Sequence, residues 1–150
     1  MRRAIALSLE NVRSGRGGPF AALVVRSEEV IAEGANQVTS TNDPSAHAEM
    51  LAVRAACRAL KHFQLTGCDI YTSCEPCPMC MGLIYWARPD KVYYANTAED
   101  AAAIGFDDSR IYHELASAPA ARSIAMVQML RNEALAAFRA WQAKSDKIPY

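Results

Sequence analysis

Apolar and polar positions alternate along this chain with two different periods, and the switches between them mark the elements. Residues 2–13 carry Ile5, Leu9 and Val12 at helical spacing, which predicts an amphipathic helix. Gly15, Gly17, Gly18 and Pro19 end it in a loop. Phe20–Val25 is a short continuous apolar run, read as a buried strand. The polar turn Arg26-Ser27-Glu28-Glu29 leads into a second strand from about Val30, most economically as a hairpin. Thr39–Ser45 is a polar loop. Asp43-Pro44 resembles an N-cap followed by a first-turn proline, which predicts a helix from about Ser45 to Lys61 with Met50, Leu51, Val53 and Ala56 inward. A third strand is expected over Cys68–Thr72, a short helix from near Pro78 to before Pro89, and a fourth strand over Lys91–Ala95. A helix over 97–103 and a loop at Phe106–Ser109 follow. Ser123–Met129 is expected as a fifth strand, and Glu133 to about Lys147 as a last helix with Leu135, Phe138 and Trp141 on one apolar face. Strands alternating with helices after an opening hairpin imply an α/β domain with a mixed sheet.

Length and composition fit one domain. A chain of 150 residues buries roughly 68–70% of its unfolded surface without staples. Lys+Arg and Asp+Glu cancel at 16 each, which removes the broad basic field that phosphate backbones attract, so nucleic-acid binding is not expected. The opening Met1–Glu10 starts like a signal peptide, but Ser8 and Glu10 break its apolar stretch. No run approaches the ~20 apolar residues that span a bilayer. A cytoplasmic protein without membrane contact is the consistent expectation.

The chemistry gathers in two motifs. Of the five cysteines, Cys74, Cys77 and Cys80 fall within seven residues, a poor disulfide framework and a good metal cluster. Pro76-Cys77-Pro78-Met79-Cys80 puts two thiols three apart at a predicted helix start, where the helix dipole favours thiolates. His47-Ala48-Glu49 stands near the start of another helix. His47, Cys77 and Cys80 supply three ligands for Zn2+, one ion per subunit. They leave a fourth position open for a water whose pKa the metal lowers, which distinguishes a catalytic from a structural site. Glu49 is the nearest group to move the proton. Residues i and i+2 do not share a face of a regular helix, so spacing alone does not bring His47 and Glu49 together. The competing reading is a closed structural site with Cys74 as fourth ligand, serving protein contacts. Cys57 and Cys68 read as core thiols.

The pairing of His-x-Glu with Pro-Cys-x-x-Cys is the signature of zinc-dependent deaminases, and the chain resembles the cytidine deaminase superfamily. Within it, Gly17-Gly18-Pro19-Phe20, Thr41-Asn42-Asp43-Pro44, Tyr71–Cys77, Ile84–Pro89, Gly105–Ser109 and the final Tyr150 resemble the small bacterial guanine deaminases. That resemblance implies a three-layer α/β/α sandwich around a five-stranded mixed sheet. It also implies a homodimer that exchanges C-terminal segments, with Tyr150 closing the partner's site. It implies hydrolysis of a small purine base, guanine to xanthine, with Glu49 and Asp108 sharing proton transfer. Asn36 would hydrogen-bond the purine, Phe20, Trp86 and Phe106 would stack on it, and Ala48 and Tyr150 would complete the substrate-binding set. A tRNA adenosine deaminase shares the zinc motif, and cytosine or a triazine such as ammeline suits the same pocket type.

Overall fold

A computed structural model describes all residues, Met1–Tyr150. The chain divides into two compact units, Met1–Asp108 and Ser109–Tyr150.

The first unit is built on a hairpin. Strand β1 (Ala21–Arg26) pairs antiparallel with β2 (Glu29–Ala35). Ser27 and Glu28 between them both take positive φ, at 49° and 67°, the mirror-image turn whose twist matches that of the flanking strands. Strand β3 (Asp69–Cys74) adds antiparallel to β1, and β4 (Lys91–Asn96) adds parallel to β3, giving the order β2-β1-β3-β4. The parallel pair needs a crossover, which helix α4 (Pro78–Ala87) supplies.

Both faces of β1 are buried, and its alternation defines the layers. Ala21 and Leu23 pack with Ala4 and Leu7 of helix α1 (Arg2–Arg13). Ala22 and Val24 face the main core, with Ala48, Ala52, Val53 and Ala56 of helix α3 (Ala48–Leu60), Ile84 and Ala87 of α4, and Leu65 and Ile70. The expected three layers are therefore present in this unit: α1, the sheet, then α3 with α4. Alanines 48, 52 and 56 form the inward row of α3, and Gly34 of β2 lies so close that a Cβ there would sit 2.3 Å from the Ala48 carbonyl oxygen. Met50 and Leu51, expected inward, are half-buried.

Several expectations are corrected. The sheet has four strands, not five. Residues 123–130 form no regular element and leave Ile124 and Val127 exposed. A strand exists only by pairing, and no strand of this chain pairs with that segment. Helix α1 buries Ala4, Leu7 and Asn11, while Ile5, Leu9 and Val12 lie half out. The small alanine permits close approach to the sheet, so the inward stripe is not the most apolar one. The polar stretch after β2 contains a one-turn helix, α2 (Val38–Thr41), where the Ser40 and Thr41 hydroxyls both donate to the Gln37 carbonyl. Asp43 does not cap α3. Its Oδ1 accepts from the Ser45 N–H and hydroxyl, both at 2.8 Å, closing a local turn, and α3 starts three residues later than expected. Helix α5 (Ala98–Ala103) opens with a reciprocal capping box between Thr97 and Asp100.

The second unit contains helix α6 (Ser109–Ala116), unexpected from sequence, a 3-10 turn at Pro119–Ala121, and α7 (Arg131–Ala143). Arg122 Nε donates to the carbonyls of Glu114 and Ser117, tying the 3-10 turn to the end of α6. On α7, Leu135 is half-buried, but Phe138 and Trp141 are exposed rather than packed within the chain. No helix is long and apolar enough to cross a membrane.

Candidate active site

Two helix starts meet beside the C-terminal end of β3. His47 is the N-cap of α3, with extended φ/ψ of −70°/152°, and Cys77 is the N-cap of α4, at −64°/167°. Pro78 follows Cys77 in the first turn of α4, where its missing N–H costs nothing and its fixed φ suits the helix. Neither cap side chain bonds its own helix backbone, so both point elsewhere. The extended cap also resolves the spacing problem. His47 lies outside the helix while Glu49 lies in its first turn, so helical periodicity does not separate them.

The ligand atoms of His47, Cys77 and Cys80 lie within 4.8 Å of one another. His47 Nδ1 is 3.5 Å from Cys77 Sγ and 3.6 Å from Cys80 Sγ. A tetrahedral ion with metal–sulfur bonds of ~2.3 Å and metal–nitrogen bonds of ~2.0–2.1 Å separates its ligand atoms by about 3.5–3.8 Å, so the observed spacing fits zinc. The donor set, one imidazole and two thiols, is zinc's own preference, and a fourth position remains. Cys74 is not part of it. Its buried thiol donates to the Thr97 carbonyl at 3.5 Å, and burial pushes its pKa up to about 11. That removes the closed four-ligand alternative.

The electrostatics favour anionic sulfur at Cys77. A hydrogen bond from Cys80 and another with His47, acting against burial, bring the Cys77 thiol down to about 4. Cys80 is pushed up by the same hydrogen bond and by its burial. The lowered Cys77 thiol is thereby favoured as an anionic sulfur, the form that binds a divalent cation. His47 is raised chiefly by its hydrogen bond with Cys77.

Glu49 sits beneath this cluster, only 5% exposed. Its Oε1 accepts from the Thr72 hydroxyl at 2.6 Å, and its Oε2 lies 3.4 Å from Cys80 Sγ. Burial raises its pKa, opposed by the Thr72 hydrogen bond. A carboxyl group whose pKa is raised by burial, beside a metal position, is suited to accept and return a proton. Asp108 is half-buried, and its pKa is raised by burial and then by the charge of Cys77.

The remaining sequence-predicted residues fall at different distances from this centre. Asn36 is buried at the end of the hairpin, its Oδ1 accepting from the N–H groups of Gly18 and Val38, both at 3.3 Å. Phe20 and Phe106 meet edge to face, with centroids 4.9 Å apart. The Ala48 methyl is fully buried in the main core, so any ligand meets its backbone. Trp86 lies on α4, 61% exposed. Tyr150 ends the second unit, 72% exposed. Sequence reasoning missed Thr72 and Asn11. Thr72 is a fully buried hydroxyl in the middle of β3, between Tyr71 and Ser73, and Asn11 is a polar residue in register with Ala4 and Leu7 on a helix's inward stripe. A buried polar group of either kind requires a partner.

An imidazole and two thiols at helix starts, with a buried glutamate between them, define a metal-dependent hydrolytic centre. The chain belongs to the family described as the cytidine and deoxycytidylate deaminase zinc-binding region, matched over residues 1–96. It is 50% identical to a guanine deaminase of Bacillus subtilis (strain 168) over 150 residues, covering 100% of this chain and 96% of that protein. The X-ray structure of a guanine deaminase from Bacillus subtilis superposes with a TM-score of 0.97 at 50% identity, covering 99% of this chain and 95% of that one. A tRNA-specific adenosine deaminase of Aquifex aeolicus is 42% identical over 77 residues, 51% of this chain and 51% of that protein.

Proposed function

We propose that this chain hydrolyses guanine to xanthine and ammonia, with the reaction centred on Glu49. The observation that carries the proposal is the placement of the buried Glu49 carboxylate 3.4 Å from Cys80, inside a three-ligand zinc site. The choice of guanine is supported by similarity to a guanine deaminase along the whole chain, against half of it for the Aquifex tRNA-specific relative.

His47, Cys77 and Cys80 would hold zinc, which would supply a Lewis acid able to lower the pKa of water toward ~7. Glu49 takes a proton from the attacking water and delivers it to ring nitrogen N3, while the water oxygen bonds C2. The C2–amino bond then breaks, and the departing nitrogen takes a second proton and leaves as ammonia. Asp108, a second carboxyl group, shares that transfer with Glu49. Guanine and water are thus balanced by xanthine and ammonia. The Thr72 hydroxyl holds Oε1 of Glu49 still, leaving Oε2 to carry the proton.

Asn36 presents its amide N–H to an acceptor on the purine, since its oxygen is already engaged. Phe20, Phe106 and Trp86 flank the ring, and the Ala48 backbone lies at its edge beside Glu49. The 150 residues act as one deaminase domain. We further infer a homodimer with exchanged C-terminal segments, in which residues 123–129 of one chain extend the sheet of its partner and Tyr150 closes the partner's site. The exposed apolar side chains of Ile124, Met126, Val127 and Phe138 support this reading. Free thiols at every cysteine suit a reducing cytoplasm and a role in purine breakdown.

The test is ammonia release from purified zinc-loaded protein given guanine, cytosine, adenine, ammeline, cytidine and guanosine side by side. Ammonia from guanine with matching xanthine absorbance is the expected result. Activity on another base alone would keep the zinc chemistry and overturn the substrate. Silence on all six, with zinc bound and tRNA deaminated, would overturn the small-base reading.

A further inference from the structure

Asn11 is a buried amide that the deamination chemistry does not use. It lies on the inward stripe of α1 and is 1% exposed. Its Nδ2 donates to two carbonyls from separate segments, Gly18 at 2.8 Å and Asn36 at 2.8 Å. Those two residues are bonded to each other in turn, because the Gly18 N–H donates to Asn36 Oδ1. Asn11 thus closes a ring of hydrogen bonds joining α1, the glycine loop and the end of β2.

The loop leaves no slack. A Cβ at Gly17 would come within 2.1 Å of the Asn36 carbonyl oxygen, and one at Gly18 would meet Phe106 and Phe20 at 3.3 Å each. One short segment therefore rests against both the Asn36 amide and the aromatic pair. Asparagine is not a cost-free choice here. Its Oδ1 is buried with no partner, and an orphaned acceptor costs roughly 1–3 kcal/mol. Leucine has a similar shape and no orphaned acceptor, but it would take away the donor that the Asn36 carbonyl receives. What asparagine provides is its two donors.

We infer that Asn11 is a positioning residue for base selection. It pins the Gly17–Gly18 loop against residue 36, which fixes the Asn36 side chain with its oxygen occupied and only its N–H groups on offer. A donor held there selects a ring edge bearing a carbonyl oxygen or an unprotonated nitrogen, and disfavours one bearing an amino group. The inference rests on the reading that Asn36 meets the substrate.

The experiment compares zinc-loaded wild type, Asn11→Leu, Asn11→Ser, Asn36→Ala and the double variant Asn11→Leu/Asn36→Ala. Steady-state kcat and KM on guanine and adenine are measured, with Kd for xanthine by calorimetry. The expected result for Asn11→Leu is a KM and a xanthine Kd raised about tenfold or more, with kcat and zinc content held. The guanine-over-adenine preference narrows with them, and the double variant is no worse than Asn36→Ala alone. A general loss of structure would instead lower kcat and zinc content together. Asn11→Ser keeps the test open if leucine prevents folding. Unchanged KM and Kd in the folded variant, or losses that multiply in the double variant, would overturn the inference. Wild-type turnover of guanine is read in the same series. Its absence sinks the guanine reading alone, and the Asn11 comparison is then made on the base that is turned over.

Discussion

The Thr72 hydroxyl donates to Oε1 of Glu49 across 2.6 Å, and both groups are buried. That hydrogen bond restrains one oxygen of the carboxylate and leaves the other facing Cys80. A buried hydrogen bond to a charged group contributes ~1.5–3 kcal/mol. Thr72→Val should therefore lower kcat roughly 10- to 100-fold, while Thr72→Ser, which keeps the donor, recovers most of it. Steady-state rates on the two variants check this, and a fully active valine variant would show that Oε1 needs no anchor.

Glu49→Gln preserves size and the Thr72 contact but cannot accept a proton. Turnover should drop by ~10²–10⁴-fold or more, with one zinc still bound per chain. Metal content by atomic absorption, read beside ammonia release, separates the loss of the base from the loss of the ion.

Chelation should destabilise the fold as well as silence it. His47 and Cys77 lie 30 residues apart in sequence, and the ion would tie their two helix starts together. Metal at a thousand times its Kd adds ~4 kcal/mol to the folded state. Calorimetric scans with and without chelator should differ by several degrees, and Cys77→Ser should resemble the chelated protein. Equal melting in both conditions would mean that the site is formed without its ion.

Gly34→Ala puts a methyl 2.3 Å from the Ala48 carbonyl, so either β2 or the start of α3 must move. A loss of ~1–3 kcal/mol is expected from overpacking. Because Glu49 follows Ala48, activity should fall as well. Urea denaturation and kinetics on one sample distinguish a general loss from this coupled one.

The Arg3–Glu33 pair joins α1 to β2 through contacts of 2.7 and 2.6 Å. The hydrogen bond from Arg3 holds the Glu33 pKa below its ordinary value. A lowered carboxyl pKa stabilises the folded state above the unfolded-state pKa, and that contribution is lost as pH falls through the folded value. Glu33→Gln should therefore melt slightly earlier than wild type at pH 7. The gap should close below about pH 4 and in high salt. A gap independent of both would assign the effect to packing.

Local signals that had no competitor were legible in the sequence: the hairpin, the crossover helix, the metal motif and its glutamate. Those that failed met a stronger local or distant demand. Asp43-Pro44 carried every mark of a helix start, but the aspartate was satisfied two residues on by Ser45. The true caps are His47 and Cys77, which carry no capping signal because their side chains are committed to the cluster. In α1 the periodicity was right and the face was wrong, since Ile5 and Leu9 outrank Ala4 and Asn11 in hydrophobicity but not in fit against β1. Residues 123–129 have strand chemistry, and pairing partners are not written in a segment's own composition. The Thr72 and Asn11 bonds link positions 23 and 25 residues apart, a distance over which pattern carries no information.

The outer edge of β4 gives this protein a handling problem. The opposite edge, β2, carries Glu29 and Glu33, charges that discourage stacking by other chains. Along β4 the only charge is Lys91 at the first position, followed by Val92, Tyr93, Tyr94 and Ala95 with an open row of backbone groups. A row of that kind is a template on which another copy can add a strand, so edge-to-edge association that grows with protein concentration is the expected consequence.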